Sequence, residues 1–260
     1  MAIEQALDSN SPSAAAEEAV GRKLSLREHL LELRKRLVYS AIAVAVTTGA
    51  TFVFTNRIMA FLERPLGGVK LVYLELTTPL VVWFNVALTV GIAAATPFVL
   101  LQVVRFVAPA LYPREKVFLY SMLPAVLFAF TLGAAFAYFV LIPPAFKFLL
   151  TFGGEIATPL LTIDKYISLV TRLVFWIGIV FELPIAVFIL ARIGIVSARM
   201  LWRMWRWAVL GAFVAAAVIT PTPDPVDQLI VAVPLIVLYG ISILLAHFAQ
   251  AGRKKRQAAP

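Results

Sequence analysis

Six apolar runs dominate the chain, at about 37–54, 79–104, 117–143, 166–193, 206–220 and 228–248. The hydrocarbon layer of a bilayer asks for roughly 20 apolar residues per helical crossing. Most of the runs carry an internal proline (Pro97, Pro124, Pro184, Pro234), which membrane helices tolerate better than soluble ones. Composition agrees with this reading. Hydrophobic residues make up 62% and charged residues 14% of the 260, with a mean hydropathy of +0.92; soluble domains carry roughly 25% charged residues. The fold class expected is an all-α integral membrane protein, with six transmembrane helices in a concave bundle. Cysteine is absent, which removes disulfides and thiolate metal sites from consideration.

Basic residues near the ends of the runs set the expected orientation. One side holds Arg22, Lys23, Arg27, Arg34, Lys35 and Arg36, then Arg105, Arg114 and Lys116, then Arg192, Arg199, Arg203 and Arg206. The basic tail Arg253, Lys254, Lys255 and Arg256 joins them. The other side holds Arg57, Arg64, Lys70, Lys147 and Lys165, with Arg172 near the far end of the fourth run. Both termini are therefore expected in the cytoplasm. The net charge of +9 reads as this bias plus contact with anionic lipid head groups, and not as nucleic-acid binding.

Three segments follow from the pattern. Residues 1–23 are expected to be a disordered cytoplasmic tail, acidic and without a cleavable signal. Residues 24–248 form the six-span domain and 249–260 a basic cytoplasmic tail. The last two spans are expected to be short: Trp207 to Ile219 would cover only about 20 Å at 1.5 Å per residue. The hairpin Thr220-Pro-Thr-Pro-Asp-Pro225 cannot continue a helix and should cap the outer surface. Local bilayer thinning and a merely mismatched pair of helices are both compatible with that length.

Three acidic residues stand out. Glu182 lies inside the fourth run, where a carboxylate costs about 2.5–3.5 kcal/mol on insertion scales and so implies a partner. Either it is hydrogen-bonded inside the bundle, or it serves a docking or transport site. Around Glu32, the segment 24–37 places Leu26, Leu30, Leu33 and Leu37 on one helical stripe, with Glu28, His29, Glu32, Lys35 and Arg36 opposite. Glu32 precedes Arg36 by four residues, the favourable order for an ion pair. Glu115 closes the aromatic and proline-rich loop Phe106-Val-Ala-Pro-Ala-Leu-Tyr-Pro-Arg-Glu115. Its neighbours Arg114 and Lys116 can neutralise it as readily as an incoming cation can.

Five motifs, in order, resemble the TatC family, the Sec-independent twin-arginine protein translocase. They are His29-Leu-Leu-Glu-Leu-Arg-Lys-Arg36, Phe106-Val-Ala-Pro-Ala-Leu-Tyr112, Ala135-Phe-Ala-Tyr-Phe139, Phe181-Glu-Leu-Pro184, and Thr220-Pro-Thr-Pro-Asp224 with Gln228. The hairpin departs from the family's pattern by one extra residue, with Asp227 where a small polar residue is common. The resemblance implies a multi-pass protein of the prokaryotic plasma (inner) membrane. It would be the receptor that recognises twin-arginine signal peptides of folded cargo at the cytoplasmic face. It would assemble with itself and with TatA/TatB-type single-span proteins, driven by the proton-motive force, and it implies no cofactor.

Carried over residue by residue, the resemblance places signal-peptide binding at Glu32, Glu115, Arg34, Arg36, Phe106 and Pro109. Partner-helix docking falls on Glu182, Thr220 and Gln228. The chemistry is coherent: a guanidinium presents a planar fork that pairs with a carboxylate through two hydrogen bonds, and an ammonium does not. Two carboxylates spaced across a patch would take one arginine each. A proton-coupled secondary transporter using Glu182 is the main rival, but the chain shows no internal repeat or paired broken helices. An intramembrane enzyme lacks motifs: His29 and His247 both sit at span ends, and no HExxH or GxSxG occurs.

Overall fold

The structure, a computed structural model, describes residues 26–107, 113–151, 160–220 and 225–257, apart from the side chains of 26, 107, 113–116 and 252–257. Every element in these residues is helical except for one isolated bridge. Span one is Leu26–Leu62 and span two Thr78–Val107. Span three runs through Pro113–Ser121, Leu123–Phe136, a π-helical turn Ala137–Leu141 and Ile142–Thr151. Span four is Ile163–Val180 followed by Leu183–Ile193. A short helix Ala198–Arg203 leads to span five, Trp205–Ile219, and span six is Pro225–Gln257. An even number of crossings returns the chain to its starting side.

The breaks have chemical causes. Pro124 and Pro184 occupy the first turn of the helices that they begin, so the interruptions fall at Met122 and at Phe181–Glu182. Pro143 and Pro144 offer no N–H to the carbonyls of Phe139 and Val140. The turn before them widens accordingly, and the Ile142 N–H bonds five residues back to Ala137 O. Gly194, at φ 95°, ends span four in the left-handed conformation that glycine adopts without strain.

Span one docks chiefly on span two. The contact is close because Gly91 has no side chain: a Cβ there would fall 2.5 Å from Thr48 Cα. The Thr47 hydroxyl donates to Gly91 O at 2.7 Å as well as to Ala43 O. A small residue facing a hydroxyl is a standard way to join helices in lipid. The last carbonyls of span one, orphaned by the helix end, accept from Tyr138 Oη at Phe61 and from Tyr166 Oη at Leu62, the latter at 2.7 Å. At this same end Val72 pairs with the start of span four, accepting from Ile163 N at 2.9 Å. The main core lies alongside, built on Val86, Ile142, Tyr166, Val170, Ile177 and Val231.

Span five is short, at 15 residues, as expected. Span six is not: its helix has 33 residues. The apolar run ends near 248, but the helix continues through Gln257, since Arg253 to Arg256 are good helix formers. The basic tail from 249 is thus largely a continuation of the helix. The tail 1–23 and most of the 220–225 hairpin lie outside the described residues.

Candidate signal-peptide and partner sites

At the end of the bundle that carries the termini, the helical stripe predicted around Glu32 is observed. Arg36 Nε donates to Glu32 Oε1 at 2.7 Å, and its Nη2 also pairs with that oxygen. Arg36 Nη1 donates to Gln102 Oε1 of span two at 3.2 Å. Gln102 is only 2% exposed, so a buried amide anchors the guanidinium from behind. The His29 ring stacks on Phe106 at 4.4 Å between centroids and 27° between planes. Spans one and two therefore close around the start of the 2–3 connection. Both contacts from Arg36 fall on Oε1, and among the described residues no hydrogen bond is made to Glu32 Oε2.

The structure brings together Glu32, Arg36 and Phe106. Arg34 is exposed, two residues along the helix from Glu32 and from Arg36, and so faces another direction. Pro109 and the side chain of Glu115 lie outside the described residues. The backbone of Glu115 begins the first helix of span three. Gln102 went unrecognised in the sequence. The available signal was a lone amide in an apolar run, four residues before Phe106.

Glu182 sits on the turn between the two halves of span four. Its Oε1 is buried and has no hydrogen-bond partner among the described residues. The carboxyl opens into a cavity of about 260 Å³ between spans two, three and four, with walls that include Leu100, Val103, Leu119, Val126 and Ile189. The lining continues to Ile193 at the end of span four. Eleven residues separate Glu182 from Ile193, about 16 Å along a helix. The cavity thus runs from the termini end toward mid-membrane. Val103 on its wall follows Gln102 in span two, so the inner end of the cavity and the charged patch lie at a similar depth in the bundle.

Thr220 and Gln228 lie at the other end, at the close of span five and the start of span six. The Thr220 hydroxyl donates to Ala216 O at 2.8 Å, and Gln228 Nε2 donates to Phe213 O at 3.0 Å. The Thr220 bond stays within span five and closes its last turn, whereas the Gln228 bond joins span six to span five. Asp227, 4% exposed, shares a small cleft with Thr220. Among the described residues there is no cluster of three metal-ligating side chains. Of the tryptophans at the start of span five, Trp205 packs on Tyr239, whose hydroxyl bonds Leu201 O, while Trp202 and Trp207 are exposed. The two exposed rings suit a belt at the membrane interface.

Comparison with known proteins agrees along the chain. The family described as Sec-independent protein translocase protein (TatC) matches residues 28–234. The Sec-independent protein translocase protein TatC of Carboxydothermus hydrogenoformans is 38% identical over 229 residues, covering 87% of this chain and 94% of its own. Its counterpart in Aquifex aeolicus is 39% identical over 242 residues, covering 91% and 100%. A crystal structure of the twin arginine translocase receptor TatC superposes with a TM-score of 0.79 at 40% identity, over 85% of this chain and 99% of that one. With matching spans, matching order and near-complete mutual coverage, the chain belongs to the TatC family of Sec-independent protein translocase proteins.

Proposed function

We propose that this chain is the receptor subunit that reads a paired-arginine export signal at the termini end of the bundle. The observation that carries this reading is the Glu32–Arg36–Gln102 cluster, next to an apolar cavity that ends at Glu182. One arginine of the signal pairs with the open oxygen of Glu32, and the other pairs with Glu115 on the 2–3 connection. The apolar part of the peptide then has a greasy path between spans two, three and four. Charge-assisted bonds contribute roughly 1.5–3 kcal/mol each, so two such arginine pairs separate Arg-Arg from Lys-Lys by tens-fold or more.

Glu182 then receives a polar side chain from the membrane helix of a TatA/TatB-type partner. Such a bond in lipid is worth about 1–2 kcal/mol in model peptides, which suits reversible assembly driven by the proton-motive force. Thr220, which closes the end of span five, and Gln228, which ties span six to span five, shape a second docking surface. In this reading the chain lies in a prokaryotic plasma membrane with both termini in the cytoplasm, and copies associate within the complex. A transporter built on Glu182 finds no support in the family matches.

A photocrosslinker carried by a synthetic signal peptide beside its paired residues tests the reading against the intact chain, in an Arg-Arg peptide and its Lys-Lys version. Crosslinks from the first and not the second are expected. Equal labelling by both peptides would refute it.

A further inference from the structure

Arg172 plays no part in the sites above, yet it lies in the apolar span four. It is nine residues into a helix that starts at Ile163, about 13 Å along the axis. Among the described residues no carboxylate pairs with it. It lines a cleft of about 360 Å³ between spans two and four, together with Asn85, Thr89, Ser168 and Trp176. The cleft is polar where its surroundings are apolar, and a charge at this depth normally has a partner. Helix side chains lean toward the helix N-terminus, so the guanidinium reaches toward the membrane surface opposite the termini.

A second cavity of about 310 Å³ continues in that direction, and Asn85 and Ser168 line both. Its walls carry Glu75, Asp164 and Lys165. Charge is thus ordered along the path, with the exposed Arg172 at the deeper cleft and an acidic excess at the mouth. The two cavities have the size of small-molecule sites.

We infer that this cleft between spans two and four binds the head group of a zwitterionic aminophospholipid, its phosphate on Arg172 and its ammonium between Glu75 and Asp164. A guanidinium with amide and hydroxyl donors nearby suits phosphate oxygens. The carboxylates at the mouth favour a primary ammonium and disfavour a purely anionic head group. The exposed Trp176, 40% accessible, gives the glycerol region an apolar wall. The lipid neutralises the charge that the chain itself leaves unpaired.

Native mass spectrometry of the purified full chain in detergent tests this, with matched-chain phosphatidylethanolamine, phosphatidylglycerol and phosphatidylcholine added in equal amounts. The wild type should retain the ethanolamine lipid preferentially, and Arg172→Gln should lower that retention by roughly tenfold, the loss of one strong charge-assisted contact. Glu75→Gln combined with Asp164→Asn alters only the mouth of the cleft; it should keep lipid binding but abolish the preference over phosphatidylglycerol. Equal retention of the three lipids by the wild type overturns the inference, as does unchanged retention in Arg172→Gln. If Arg172→Gln does not fold, the double variant decides alone: an unchanged preference overturns the inference.

Discussion

Replacing Gln102 by Leu isolates one step of the receptor reading. Leu has nearly the volume of Gln, so packing at this buried position is preserved while the acceptor for Arg36 Nη1 disappears. A hydrogen bond to a charged group is worth about 1.5–3 kcal/mol. The bond here is 3.2 Å long and Arg36 is 20% exposed, so water recovers part of the loss. About 1 kcal/mol remains, roughly a fivefold change in affinity. Freed from its anchor, Arg36 closes over both oxygens of Glu32 and competes with the incoming arginine. The Kd of a fluorescent Arg-Arg signal peptide for purified protein should therefore rise roughly fivefold. Lys-Lys binding, already weak, should hardly move, so discrimination falls. An unchanged Kd for the Arg-Arg peptide at unchanged Tm would refute the anchoring role of Gln102.

Other consequences are equally direct. Glu182→Gln keeps a hydrogen-bonding group in the cavity and should retain more co-purified single-span partner than Glu182→Ala; equal loss would mean that ionisation is required. Gly91→Leu forces a side chain into Thr48 and should cost at least about 1–3 kcal/mol, read as a lower Tm in detergent; an unchanged Tm would contradict the close packing of spans one and two. Tyr166→Phe leaves the Leu62 carbonyl without its donor at a buried position and should destabilise by about 1–3 kcal/mol. Thermal unfolding without a shift would show that the carbonyl finds another partner.

Local pattern carried much of this architecture. Apolar run length located the six crossings, and the i, i+4 spacing of Glu32 and Arg36 foretold their ion pair. A lone carboxylate in span four called for a partner within the bundle or at a docking or transport site, and it lines a cavity. The features that escaped are long-range. Gln102 meets a residue 66 positions away, and Tyr166 caps a carbonyl 104 positions away, separations on which helical periodicity carries no information. Span six was misjudged as short because hydropathy reports where lipid ends and not where a helix ends. Thr220 and Gln228 enter the sequence reading only through the family resemblance, as docking positions, and the bonds that their donors make to span five's backbone are not legible there.

The most direct measurement is equilibrium binding of an Arg-Arg signal peptide to wild type, Glu32→Gln and Glu115→Gln, with the Lys-Lys peptide alongside. Each substitution should remove one charge-assisted pair, weakening Arg-Arg binding by about tenfold or more and narrowing the gap to Lys-Lys. Wild-type affinity in both variants would contradict the account.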